Sequence, residues 1–348
     1  MADTQSPLPA SRWLAPKASN QGELIELRRA RFDTPALRGL EFIEVEAKRV
    51  LNRVPGNYLP FSWTVNPYRG CSHACVYCFA RATHTFLDMN PGRDFESKIV
   101  VKVNAPDVLR AQLARRHWRG ELIAMGTNTD PYQAAEGKYR LMPRILRALI
   151  DFRNPFSILT KGTLMTRDVD LLVEAASLTE VHTAYSIGTV DESAWRLTEP
   201  GTPHPRKRLD AVRRLNAAGI PCGVLMAPIL PGITDDPALL RRTAAAAVAA
   251  GATHLSPILL HLRPHVKEEF MGWLEREFPG LVPRYQELYG NRAYASPPAR
   301  RDFDARLRKA IGDNRPRLEA GRSRWRSEAP AAPGPRTEAS QLSLPVGV

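Results

Sequence analysis

Three of the four cysteines of this chain fall within eight positions, as Cys71-x3-Cys75-x2-Cys78, inside Asn66-Pro-Tyr-Arg-Gly-Cys71-Ser-His-Ala-Cys75-Val-Tyr-Cys78-Phe-Ala-Arg81. Thiolate is the preferred protein ligand of iron–sulfur clusters, and a short loop with this spacing can wrap three thiolates around one four-iron cube. Three protein ligands leave the fourth iron open, a Lewis-acidic position that can take the amino and carboxylate groups of a small molecule. Two other uses of the same residues compete. With His73 the cysteines resemble a Cys3His zinc site, as in a zinc-stabilised nucleic-acid-binding protein without catalysis, yet zinc sites usually join one close cysteine pair to a second pair farther along. Cys75 and Cys78 alone resemble a redox dithiol, but such motifs open a helix without a third cysteine nearby. A cluster used only for electron transfer calls for a fourth ligand.

The elements that position this loop follow from hydrophobic periodicity. Short apolar runs alternate with amphipathic segments, the pattern of βα units building a parallel sheet. The predicted strands are Ser62–Pro67, Leu122–Gly126, Phe156–Thr160, Val181–Ile187, Cys222–Ala227 and His254–Leu259. Helices are predicted near Tyr139–Phe152, Asp168–Ala176, Pro205–Ala218, Asp236–Ala250 and Val266–Glu277, with an extra strand at Lys98–Val103 and a helix at Pro106–Arg116 in the long first crossover. Six strands are fewer than the eight of a full TIM barrel, so the expected fold is α/β, a partial open (β/α)6 TIM-type barrel with N- and C-terminal extensions. Chemistry in such folds gathers in the loops after the strands, where Thr127-Asn128-Thr129-Asp130, Lys161 and Pro231 to Asp235 lie.

The expected organisation is a partly ordered lead-in (1–45), a core barrel with flanking helices (46–290), a basic extension (291–327) and a disordered, Pro/Ala-rich tail (328–348). The 348 residues are 43% hydrophobic and 24% charged, near globular averages. The clustered cysteines do not resemble the spread framework of a secreted disulfide domain. The first thirty residues lack a signal-peptide pattern, and the apolar Thr243–Ala252 run is far short of a bilayer span, so a cytoplasmic location without membrane contact is expected. Lys and Arg number 49 against 36 Asp and Glu, a formal +13, which suits an anionic partner such as nucleic acid. Between Arg292 and Arg326 eleven basic residues face four acidic ones, so +7 of the excess lies in the C-terminal stretch.

Cys71-x3-Cys75-x2-Cys78 with an aromatic at Tyr77 resembles the signature of the radical S-adenosylmethionine (SAM) superfamily. Over residues 35 to 290 the chain resembles most closely the spore photoproduct lyase-like branch. The strings that carry this are Gly126-Thr-Asn-Thr-Asp-Pro131, similar to the branch's Cys-Thr-Ser-Asp-Pro; Leu159-Thr-Lys161; and Tyr185-Ser186-Ile187 followed by Glu199-Pro200. The resemblance implies a [4Fe–4S] cluster on Cys71, Cys75 and Cys78, and reductive cleavage of SAM to methionine and a 5′-deoxyadenosyl radical that abstracts hydrogen from a substrate. It further implies an electron donor such as flavodoxin or ferredoxin. By position, Thr129 bonds the methionine end of SAM, Lys161 pairs with its carboxylate, Ser186 meets the ribose or carboxylate, and Tyr77 lies near the adenine.

One position departs from the branch. Spore photoproduct lyase has, at the first residue of Cys-Thr-Ser-Asp-Pro, a cysteine that returns a hydrogen atom to the product radical, and here Thr127 stands there. A hydroxyl holds its hydrogen more strongly than a thiol, so the remaining thiol, Cys222, is the candidate hydrogen donor provided it faces the barrel interior. A small buried apolar role is its alternative. His73 reads as a hydrogen-bonding neighbour of the cluster or as loop packing, Arg81 as its flank, and Asp130 as a loop cap; Glu136 receives no role. His182, His254, His261 and His265 are scattered and read as structural.

Overall fold

The computed structural model describes residues 24–55, 59–263 and 265–312. The chain opens with β1 (Leu24–Arg31), β2 (Glu41–Ala47), β3 (Leu51–Arg53), β4 (Trp63–Val65), β5 (Tyr68–Arg69) and β6 (Lys98–Lys102). Strands β7 (Ile123–Met125), β8 (Phe156–Thr160), β9 (Val181–Ser186), β10 (Cys222–Ile229) and β11 (Leu255–Leu259) follow, separated by helices. The main sheet has the order β11-β10-β9-β8-β7-β4-β3. Its six strands from β4 to β11 pair in parallel, and β3 adds an antiparallel edge. This is the open (β/α)6 arrangement expected from the sequence. The predicted strands and helices fall within a few residues of the observed ones.

The register separates two faces of unlike composition. Ile123, Phe156 and Val181 align across β7, β8 and β9, as do Met125, Ile158, Thr183 and Cys222 as far as β10, and Tyr185 aligns with Val224 and Leu255. The apolar members of this face join the core that the helices cover. The alternate residues make an inner face that is mostly small or short, with Ala124, Ser157, Ala184, Gly223 and Ser256, together with His182, Leu159 and Leu225, all three half-buried. Side chains alternate across a strand, so each strand serves the helix-covered core with one set and the inner face of the sheet with the other.

Helix Leu141–Asp151 shows why the helices dock. Leu141, Met142, Ile145, Leu146, Ala148, Leu149 and Ile150 are buried along it, the three-and-four spacing of a core-facing stripe. Each large apolar side chain so covered contributes about 1.5–3 kcal/mol. Its start is capped by Glu136, whose carboxylate accepts the amides of Leu141 (3.0 Å) and Met142 (3.2 Å) and the hydroxyl of Tyr68 (2.5 Å). Helix Pro237–Ala249 starts with proline in its first turn and with Asp236 accepting the Leu239 amide at 2.9 Å.

A second sheet, β1-β2-β6-β5, builds on the lead-in, and the periodicity reading had not identified its first two strands. The reason is that β2 buries acids along with apolar residues. Glu44 is held by Arg28 (2.6 Å), and Glu41 by Arg29 (2.9 Å) and Arg31 (2.7 Å), all from β1, so charges occupy positions an alternation rule assigns to the surface. One face of this sheet meets the helices after β7: the Phe42 and Tyr139 rings lie 5.6 Å apart, and Tyr139 donates to Glu44 at 2.9 Å. In the basic extension, helix Pro297–Ile311 packs Phe303, Leu307, Ala310 and Ile311 onto the core near helix Pro237–Ala249. The expected tail, 328–348, lies outside the described residues.

Candidate cofactor site

The cysteine loop leaves β5 through Gly70, whose φ of +83° belongs to the left-handed region, and a side chain there would run into the His84 ring and the carbonyls of Phe95 and Lys98. The loop is fastened along its backbone through both carbonyls and amides. The Gly70 carbonyl accepts from Thr129 Oγ1 (2.7 Å) and Gln133 Nε2 (2.9 Å), while Gln133 Oε1 accepts the Ser72 amide at 3.0 Å. The Cys71 amide donates to Phe95 O at 2.9 Å, Val76 donates to Thr198 O at 3.1 Å, and Gly201 donates to His73 O at 3.1 Å. Arg81, almost wholly buried, donates to the carbonyls of Cys75 (3.0 Å) and Gly92 (3.1 Å) and pairs with Glu96. The flanking residue of the sequence reading is therefore the clamp of the loop.

Cys71 and Cys75 are buried, Cys78 is half-buried, and all three are free thiols. Burial pushes each thiol up, Cys75 to about 12, with Lys161 pulling against it. Binding to iron replaces those protons, and three soft sulfur donors in one fastened loop fit an iron–sulfur cluster. His73 turns Nδ1 to Asp130 Oδ2, 3.3 Å away, and among the described residues no three His, Cys, Asp or Glu side chains group to hold a single ion such as zinc.

Asp130 is the hub of the adjoining loops. It accepts from Thr160 Oγ1 (2.5 Å), the Lys161 amide (2.6 Å) and the Tyr132 amide (2.9 Å). Burial alone would raise its carboxyl, but His73 and these donors outweigh that and hold it at about 2. Its role as a loop cap is thus visible, and it orients the backbone of Lys161.

Lys161, at the end of β8, reaches across to β9. Its Nζ donates to Ser186 Oγ at 2.7 Å and stands 5.7 Å from the centre of the Tyr77 ring. Ser186 donates onward to Ala227 O at 3.0 Å. Tyr77 donates to Glu199, which Arg208 grips at 2.6 Å while also donating to Ser186 O at 2.7 Å. Burial would raise Glu199, yet Arg208 and Lys161 hold it below its ordinary value. Tyr77, Lys161 and Ser186 are therefore gathered beside the cysteine loop. Thr129 lies beneath that loop, its hydroxyl committed to the Gly70 carbonyl.

Cys222 is not brought to this site. It shares the helix-facing side of the sheet with Thr183, at the start of β10 and away from the strand ends where Lys161 and Ser186 lie, and burial pushes its thiol to about 12. Sequence reasoning also missed Arg208 and Gln133. Arg208 carried a signal: it occupies the stripe of Pro205, Leu209, Val212 and Leu215 on helix Pro205–Ala217, where an apolar residue belongs.

A family model described as the radical SAM superfamily matches residues 65–242, and the chain belongs to that superfamily. It is a radical SAM enzyme, a class whose chemistry runs on SAM and an iron–sulfur cluster. An uncharacterized protein of Mycobacterium tuberculosis (strain ATCC 25618 / H37Rv) is 48% identical over 289 residues, covering 81% of this chain and 85% of the relative. An uncharacterized protein of Methanocaldococcus jannaschii is 33% identical over 198 residues, 56% of this chain and 70% of the relative. Among solved structures, spore photoproduct lyase complexed with dinucleoside spore photoproduct aligns with a TM-score of 0.57 at 16% identity, covering 79% of this chain and 80% of that one. A variant of that lyase with bound AdoMet and dinucleoside spore photoproduct gives 0.55 at 18% identity, with 75% and 76% covered. The fold is shared. No helix among the described residues is long and apolar enough to cross a membrane.

Proposed function

We propose that Cys71, Cys75 and Cys78 hold a [4Fe–4S] cluster whose open iron takes SAM, and that Tyr77, Lys161 and Ser186 form the wall against which SAM lies. The observation that carries this reading is the gathering of Lys161 and Ser186 against the buried thiol loop. When bound, the cluster supplies the electron that cleaves SAM to methionine and a 5′-deoxyadenosyl radical able to abstract hydrogen from substrate. The chain's own part is to position and to exclude water. Lys161 offers the cation a SAM carboxylate needs, Ser186 offers a hydroxyl to the ribose or carboxylate, and Tyr77, fixed through Glu199, presents its ring to the adenine. Thr129, whose hydroxyl donates to the Gly70 carbonyl, supports the cysteine loop from beneath. An electron donor such as flavodoxin or ferredoxin completes the cycle.

Anaerobic reconstitution with iron, sulfide and dithionite should give a brown protein absorbing near 400 nm and forming 5′-deoxyadenosine from SAM; the Cys71→Ala/Cys75→Ala/Cys78→Ala variant should give neither. A wild-type protein that binds one zinc and stays colourless would overturn the assignment. A nucleic-acid substrate is the reading favoured by the +13 charge and by the dinucleoside bound to the lyase of the same fold. Binding to single-stranded DNA should then weaken steeply as salt rises, because phosphate contacts release counterions. Weak binding indifferent to salt would point instead to a small molecule or a protein as substrate.

A further inference from the structure

Arg69 and Lys102 stand apart from every other buried charge described above. Strand β5 pairs antiparallel with β6 so that Arg69 lies opposite Val100. Lys102 is two residues beyond Val100, on the same face, which makes the two cations diagonal neighbours within reach of each other. Arg69 is 7% exposed and Lys102 6%. Lys102 spends one proton on the Asn66 carbonyl at 3.0 Å, and among the described residues neither cation meets a carboxylate or any other side-chain partner. His84, which also senses Arg69, is neutral near pH 7, since burial lowers its ring to about 4, and so supplies no counter-charge.

Two like charges buried side by side without a counter-charge are strongly unfavourable, because each loses hydration and gains repulsion. Lys102 registers this: burial, with the charge of Arg69, brings its ammonium down to about 7. A fold keeps such a pair where an anion completes it. The pair borders the barrel mouth, since Asn66, the partner of Lys102, follows the end of β4. Asn66, which accepts from Lys102 through its carbonyl, accepts the Asn128 amide at 3.2 Å with Oδ1 and donates to Thr127 at 3.5 Å, and Thr127 and Asn128 are half-buried. A planar fork and a point cation side by side, with amide groups at the rim, match a phosphate group, whose oxygens accept from several directions.

We propose that Arg69 and Lys102 form a phosphate-binding site beside the barrel mouth, filled by free phosphate or by a phosphodiester of a nucleotide chain. The site rests on burial and missing counter-charge, not on the radical chemistry, so either can fail without the other. Thermal unfolding of the full, cluster-reconstituted chain tests it, in inorganic phosphate against chloride at equal ionic strength. A second arm compares a thymidine dinucleotide with its uncharged methylphosphonate analogue. Inorganic phosphate at about tenfold its dissociation constant should raise the midpoint by about 3 °C. Lys102→Met should start above the wild type, having lost an unpaired buried charge, and should not respond. Arg69→Gln, which keeps a polar group, should also not respond. A rise with the dinucleotide that the methylphosphonate does not reproduce identifies the phosphodiester; a rise with inorganic phosphate alone identifies free phosphate. No rise in the wild type with either probe, or an undiminished rise in either variant, overturns the proposal.

Discussion

Two groups of buried charge are built on opposite principles. In the first, Glu199 is gripped by Arg208 and receives the Tyr77 hydroxyl, so that this anion and cation balance one to one, while Lys161 donates to the neutral Ser186. In the second, Arg69 and Lys102 are both basic, and among the described residues the side-chain hydrogen bond they make is the one from Lys102 to the Asn66 carbonyl. A balanced network can be dry and rigid without a ligand, and so it serves to position Tyr77 and Ser186. An unbalanced pair stores a demand for charge, and so it serves to bind.

The sharpest way to break this contrast is to unbalance the first group. Glu199→Gln leaves Arg208 buried against a neutral amide and should cost about 3–5 kcal/mol of stability, read from denaturant unfolding of the full chain. A cost below about 1 kcal/mol would mean that the network is not what fixes Tyr77. Lys161→Ala comes next. It should leave the fold intact but weaken SAM binding by roughly tenfold or more, the worth of one charge-assisted hydrogen bond, as measured by equilibrium binding to the reconstituted protein. Lys102→Met tests the other group and should change stability in the opposite sense to Glu199→Gln, a modest gain seen as a higher unfolding midpoint. Cys222→Ala should do least: a cost of about 1 kcal/mol from a small cavity, with 5′-deoxyadenosine formation unchanged. A stability cost near zero, as for an exposed thiol, would mean that Cys222 does not pack in the helix-facing core.

Much of the fold was legible because period-two and three-and-four patterns each require only local apolar spacing. Phe156–Thr160 and Val266–Glu277 were read at their observed bounds, and the cysteine spacing pointed to the loop around which the site gathers. What escaped depended on partners distant in sequence. Strand β2 was obscured by Glu41 and Glu44, whose burial makes sense only once the arginines of β1 lie alongside. Glu136 had no visible role because it caps the helix that follows and meets Tyr68, 68 residues away. The direction of Cys222 was undetermined because both sides of a parallel sheet are covered, and only the register with Thr183 assigns it. Arg208 was the recoverable miss, a charge on an otherwise apolar stripe.

The division of the main sheet into a bulky outer face and a slender inner one has a bearing on how this scaffold diversifies. Neighbouring residues of the same strand answer to separate demands: Phe156, Ile158 and Tyr185 to cohesion, Ser157, Ala184 and Leu225 to the dimensions of the chamber. Exchanges at the second set reshape what the chamber admits while leaving the first set untouched. Selectivity can therefore drift, or be engineered, residue by residue without eroding the framework that carries it.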